Sequence, residues 1–156
     1  MNERRRDILK AGGGAGVLGL AATMGLLRPE DALAQAWNKA AFDTRNFADT
    51  IKALGGTGST PSAEIRITAP DIAENGAVVP VSVESGVADT EAIAIMIEKN
   101  PNMLSANFEI PAGTDPFVTT RVKMAETSNV YAVVKAGGRF FHAVKEIKVT
   151  IGGCGG

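Results

Sequence analysis

The chain has 156 residues, with 16 Lys and Arg against 17 Asp and Glu, a formal charge of −1, 45% hydrophobic residues and one cysteine, Cys154. That length holds one domain and a targeting segment rather than two full domains. The near-neutral balance, without a basic run in the body, excludes an electrostatic nucleic-acid binder. One cysteine excludes an internal disulfide framework, a CxxC redox pair and a cysteine zinc cage.

Residues 1–36 read as an address. Arg5-Arg6, one residue, the apolar pair Ile8-Leu9 and Lys10 make a twin-arginine export pattern. Ala11 to Leu27 follows without a charge, and six of its 17 residues are glycine. The run is too mild and too short for a spanning helix, which wants about 20 apolar residues. Ala34-Gln35-Ala36 is an A-x-A cleavage site with a mature start at Trp37, and Ala32-Leu33-Ala34 is the alternative. Removal would take five basic and four acidic residues, leaving 120 residues at a charge of −2. The expected location is the periplasm, with no membrane attachment after cleavage. Twin-arginine export handles folded cargo, and the remaining chain carries no metal, flavin or haem motif. A partner subunit acquired before export is therefore expected, and no cofactor.

Residues 37–62 are expected to hold a helix and a linker. Phe47, Ile51 and Leu54, with Ala48 beside them, give a helical face over Asn38 to Leu54. Asp43 or Thr44 would cap the start and Gly55-Gly56 would stop it. Thr57 to Ser62 reads as linker.

From residue 63 to 151 the period becomes two. Strands are expected around Ile65–Ile67, Val79–Val83, Ile93–Ile97, Leu104–Ile110, Val118–Met124, Val130–Lys135 and Phe140–Ile151. Asn75-Gly76 turns the chain before the second of these, and Pro80 points to an edge or a bulge there. Gly137-Gly138 reads as a two-residue hairpin turn. Seven short strands predict an all-β fold, an immunoglobulin-like antiparallel β-sandwich, with a barrel as the alternative. The Cys…Trp…Cys hallmark of antibody domains is absent.

The chain ends Ile151-Gly152-Gly153-Cys154-Gly155-Gly156. Residues 152–156 read as a flexible arm, because glycine lacks a Cβ and explores the most backbone space. From Ile151 the thiol could stand up to about 10 Å away. An exposed thiol is a liability outside the cytoplasm, so its place at the tip calls for a use. His142, the one histidine, lies on the same expected strand, roughly 30 Å back at about 3.3 Å per residue. A Cys154–His142 dyad is not expected, and His142 reads as a structural or surface residue. Without a fixed cation beside it, Cys154 is a nucleophile that another protein must activate.

This ending resembles the SoxY family of sulfur carriers. The same resemblance covers Ala69-Pro70-Asp71-Ile72-Ala73-Glu74-Asn75-Gly76-Ala77-Val78-Val79-Pro80, Glu98-Lys99-Asn100-Pro101-Asn102, Thr120-Arg121-Val122-Lys123-Met124-Ala125 and Lys145-Glu146-Ile147-Lys148-Val149. The resemblance implies a non-catalytic carrier subunit in thiosulfate oxidation, holding sulfur intermediates covalently on Cys154. It implies a heterodimer with SoxZ and transient visits to SoxAX, SoxB and SoxCD. Gly152, Gly153, Gly155 and Gly156 would then be the slim arm that enters those enzymes. Three other readings stand beside it: a sandwich module with only an intermolecular disulfide, a thiocarboxylate carrier ending in Gly-Gly, and a thiol peroxidase.

Overall fold

The structure, a computed structural model, describes residues 38–153. The export segment 1–36, Trp37, and the terminal Cys154, Gly155 and Gly156 lie outside the described residues.

The expected single helix is two: α1 (Lys39–Phe42) and α2 (Phe47–Ala53). The break has a local cause. Asn46 accepts from the Asp49 N–H at 2.9 Å and donates through Nδ2 to Asp49 Oδ2 at 2.6 Å. This reciprocal cap favours a fresh start over continuation. Asn38 caps α1 by accepting from the Ala41 N–H at 3.1 Å, whereas Asp43 and Thr44, the expected caps, close α1 from behind. The stop at Gly55-Gly56 is as expected. Gly55 takes φ +93°, and the Gly56 and Gly55 N–H groups donate to Ile51 and Lys52 carbonyls at 2.8 and 2.9 Å. That is a Schellman end, which only glycine adopts without strain. Ile51 and Thr50 are buried, Phe47 and Leu54 are partly covered, and Ala48, expected on that face, is exposed.

Among the described residues nine strands follow: β1 (Thr60–Pro61), β2 (Ile65–Thr68), β3 (Ile72–Asn75), β4 (Val79–Ser85), β5 (Thr90–Ile97), β6 (Leu104–Glu109), β7 (Phe117–Val122), β8 (Ser128–Ala136) and β9 (Arg139–Ile151). The seven expected strands are all present. The two additions are short. β1 falls in the expected linker, and β3 lies before the Gly76 turn. Both pair in parallel with the outer edge of β9, β1 at Phe141 and His142 and β3 from Lys148 to Ile151. The remaining ladders are antiparallel.

One sheet has the order β1-β9-β8-β5-β6 with β3 also on β9, and the other is β2-β4-β7. Among the seven expected strands, the first, second and fifth form one sheet, and the third, fourth, sixth and seventh the other. This is the immunoglobulin-type partition, and two separate sheets replace the barrel alternative. Pro80 sits in the central strand β4, yet β2 pairs with β4 only from Ser82 to Ser85. The missing N–H of Pro80 therefore faces no ladder on that side, as its edge-like signal required.

Val79, Val81 and Val83 of β4 meet Ile93, Ile95 and Ile97 of β5 and Val130, Val134 and Ile147 between the sheets. The opposite face of β5 is also buried, because α1 and α2 lay Ala41 and Ile51 over Ala94, Met96, Val133 and Phe140. The hairpin joining β8 to β9 places Gly137 and Gly138 at φ +53° and +72°, the signature of a type I′ turn.

Candidate functional site

The site is the C-terminal end of β9, the strand that carries the arm. Of its 13 residues, the nine from Arg139 to Ile147 pair with β8 without a register shift. Ile147 is fully buried in the inter-sheet core, which anchors the strand seven residues before Cys154. Past Ile147 the strand is gripped from both sides. The Val149 N–H donates to Thr127 Oγ1 at 3.0 Å, and Thr150 Oγ1 donates to the Glu74 carbonyl at 3.0 Å.

The grip continues past the last strand residue. The Gly76 N–H donates to the Ile151 carbonyl at 2.8 Å, and the Met124 N–H donates to the Gly76 carbonyl at 2.7 Å. The Gly153 N–H in turn donates to the Met124 carbonyl at 3.0 Å, and Gly153 is buried. Gly153 is therefore hydrogen-bonded and buried, and the exposed Gly152 lies against the Ala125 carbonyl, where a free tether from Ile151 onward was expected. Met124 is itself rigidly held, with its side chain in the core. Asn100 braces the same segment, accepting from the Ala125 N–H at 3.1 Å and donating to the Lys123 carbonyl at 2.8 Å.

Gly76, Asn100 and the Met124 main chain are thus part of the site, and no side-chain chemistry in the sequence pointed to them. Asn75-Gly76 carried a turn signal and, like Asn100 and Met124, a place in the stretches of family resemblance. Of the expected arm residues, Gly152 and Gly153 are brought together with Gly76, while Cys154, Gly155 and Gly156 lie outside the described residues.

His142 is elsewhere. Its Nδ1 shares a hydrogen bond with Ser59 Oγ at 2.8 Å, and its ring stands edge-on to Phe47 at 5.3 Å. Tyr131 closes the cluster at 6.3 Å. Burial lowers the His142 pKa below the ordinary imidazole value, so the neutral ring is favoured. β9 is continuous from this residue to Ile151, roughly 30 Å at about 3.3 Å per residue, so the ring is a packing group far from the strand's end.

Two surface hollows, of about 380 and 540 Å³, open beside Gly137 and Arg139 and beside Pro111 and Gly113. The first adjoins the start of β9, at the pole opposite the arm. Among the described residues no group of His, Cys, Asp and Glu side chains is placed to hold a metal ion. No helix among them is long and apolar enough to cross a membrane.

Residues 51–154 match the family described as sulfur oxidation protein SoxY. The chain belongs to the SoxY family. The match is about two thirds of the sequence and ends on the cysteine of the arm. Among solved structures, the sulfur carrier protein SoxY from Chlorobium limicola f thiosulfatophilum is similar at 39% identity and a TM-score of 0.58. That likeness covers 66% of this chain and 96% of the other. An engineered protein is similar at 12% identity over 56% of this chain and 20% of its own, with a TM-score of 0.40. No curated protein sequence matches the chain. The SoxY match covers the β-sandwich, Gly76, Asn100 and Met124, and the first two glycines of the arm.

Proposed function

We propose that this SoxY-family chain is a non-catalytic covalent carrier of sulfur intermediates, with Cys154 as the attachment point. The observation that carries the reading is that the SoxY match runs to Cys154, the single thiol of the chain. The 39% identity to a protein titled a sulfur carrier supports the same role.

The chemistry follows from a thiol and thiosulfate. Joining the Cys154 sulfur to the sulfane sulfur forms an S–S bond, releases the thiol proton and gives up two electrons. The haem enzyme SoxAX is the expected acceptor. Water then cleaves the bond between the sulfane sulfur and the sulfonate on SoxB, releasing hydrogen sulfate and leaving a persulfide on Cys154. SoxCD, where present, would oxidise that persulfide before a second hydrolysis.

A carrier needs no base of its own, which agrees with a histidine packed against Phe47 and Tyr131 instead of beside the arm. Attachment keeps each intermediate at high local concentration in front of successive enzymes. SoxZ is the expected stable partner, acquired before export by the twin-arginine route to the periplasm. No bound cofactor is required.

Intact-mass spectrometry after incubation with thiosulfate and the partner enzymes tests the reading. A thiosulfonate or persulfide adduct, abolished in Cys154→Ser, is expected. A thiol that stays unmodified, or that yields only a disulfide-linked dimer, would refute it.

A further inference from the structure

Three stretches of main chain meet at the root of the arm with no room for a side chain. A Cβ on Gly76 would strike the Met124 carbonyl oxygen and lie 2.6 Å from Gly153 N and 2.9 Å from Val149 Cγ1. On Gly153 it would lie 2.7 Å from Ala77 N and from the carbonyl carbon and oxygen of Gly76. On Gly152 it would overlap the Ala125 carbonyl. Nearly all the opposing atoms are backbone, so no rotamer change relieves them.

None of these three glycines has a positive φ, unlike Gly55, Gly113, Gly137 and Gly138. Space, not conformational freedom, is what excludes a side chain at 76, 152 and 153. A purely flexible tether would show the reverse. The contact also spans the molecule. Gly76 ends the excursion along β3, Met124 follows β7 of the other sheet, and Gly153 follows β9. The hydrogen bonds Gly76 N–H to Ile151, Met124 N–H to Gly76 and Gly153 N–H to Met124 bind the three together.

We propose that Gly76 is a positioning residue for the carrier chemistry: with the Met124 main chain it forms a seat for Gly153, so that the main chain is held as far as Gly153, the residue before Cys154, rather than only to Ile151. The functional half of this inference rests on the carrier reading above. A seated root offers the thiol to each enzyme from one place and in one direction. Preorganisation of that kind reduces the ordering cost of each docking event.

The test uses the exported chain in its native complex and three variants, Gly76→Ala, Gly153→Ala and Gly58→Ala. Gly58 faces open space and serves as control. Amide exchange of Gly153 reads the seat, and the rate of thiosulfate loading onto Cys154 by the haem partner reads its use. The wild type should protect the Gly153 amide by about tenfold or more over a free peptide. Gly76→Ala and Gly153→Ala should both lose that protection and load at least about tenfold more slowly, the loss of roughly 1.4 kcal/mol of positioning. Gly58→Ala should change neither.

Should Gly76→Ala fail to fold, Gly153→Ala, which lies beyond the last strand, decides the matter. A wild-type Gly153 amide that exchanges at the free-peptide rate would overturn the seat. Normal loading in a folded, unprotected Gly153→Ala would overturn the positioning role. A wild type that never acquires sulfur on Cys154 refutes the carrier reading, and the positioning role with it, while Gly153 protection is still measured.

Discussion

Asn100 gives the sharpest stability prediction for the arm's support. Its amide bridges two points of the 123–125 segment, accepting from Ala125 N at 3.1 Å and donating to Lys123 O at 2.8 Å. Asn100→Ala removes both bonds and leaves the part-buried Ala125 N–H without its partner. The exposed bond to Lys123 contributes about 0.5 kcal/mol, and the part-buried one about 1–1.5 kcal/mol. The expected loss is therefore about 1.5–2 kcal/mol, or roughly 5–10 °C in Tm for a domain of this size. Urea unfolding should show a lower midpoint at unchanged m-value, since the folded surface is otherwise the same. Asn100→Asp keeps the acceptor for Ala125 but turns a carboxylate towards the Lys123 carbonyl, so it should not restore stability. A loss below about 0.5 kcal/mol in Asn100→Ala, the range of a neutral surface change, would refute this account of the bracing.

Ile147→Ala, at a fully buried position of β9, should cost about 2–5 kcal/mol in urea unfolding, because the two-sheet core cannot collapse around the gap. His142 is held neutral by burial, so the unfolded chain binds its proton first as pH falls. The wild type should lose stability below about pH 6.5, with a slope of at most about 1.4 kcal/mol per pH unit from this group. The difference in stability between wild type and His142→Asn, followed by urea midpoints across that range, should shrink on acidification. A constant difference would show that His142 does not titrate in this way. Asp71 is held below the usual carboxylate range by its hydrogen bond to Lys145 at 2.9 Å and by the charge of that lysine. Its carboxylate NMR titration should move up towards 3.8 in Lys145→Met. Since Asp71 is exposed, the same change should leave unfolding by Asp71 protonation nearly unaltered.

The strands were legible in the sequence wherever side chains alternate over a well-paired length. Ile93, Ile95 and Ile97 declare an inward face, and so do Val79, Val81 and Val83. β1 and β3 were not legible because neither shows an apolar stripe, β1 being two exposed residues and β3 burying only Ala73, and their pairing comes from β9 itself. The helix split at Asn46 was obscured because the apolar spacing of Phe47, Ile51 and Leu54 says where a face is, not where a cap competes. The arm shows the same limit more strongly. Gly152-Gly153 looks like a flexible linker when composition is all there is. Its contact partners are Gly76 and Met124, which are distant along the chain, and main-chain contact of that kind leaves no side-chain pattern.

The central claim is that sulfur intermediates reside on Cys154. Trypsin cleavage after Lys148 isolates the terminal peptide Val149–Gly156, so the adduct can be located after the native complex meets thiosulfate and the partner enzymes. The account predicts a thiosulfonate on that peptide, converted to a persulfide when the hydrolase is added, and neither species in Cys154→Ser. A terminal peptide recovered only as free thiol or symmetric disulfide, under conditions where thiosulfate is consumed, would contradict it.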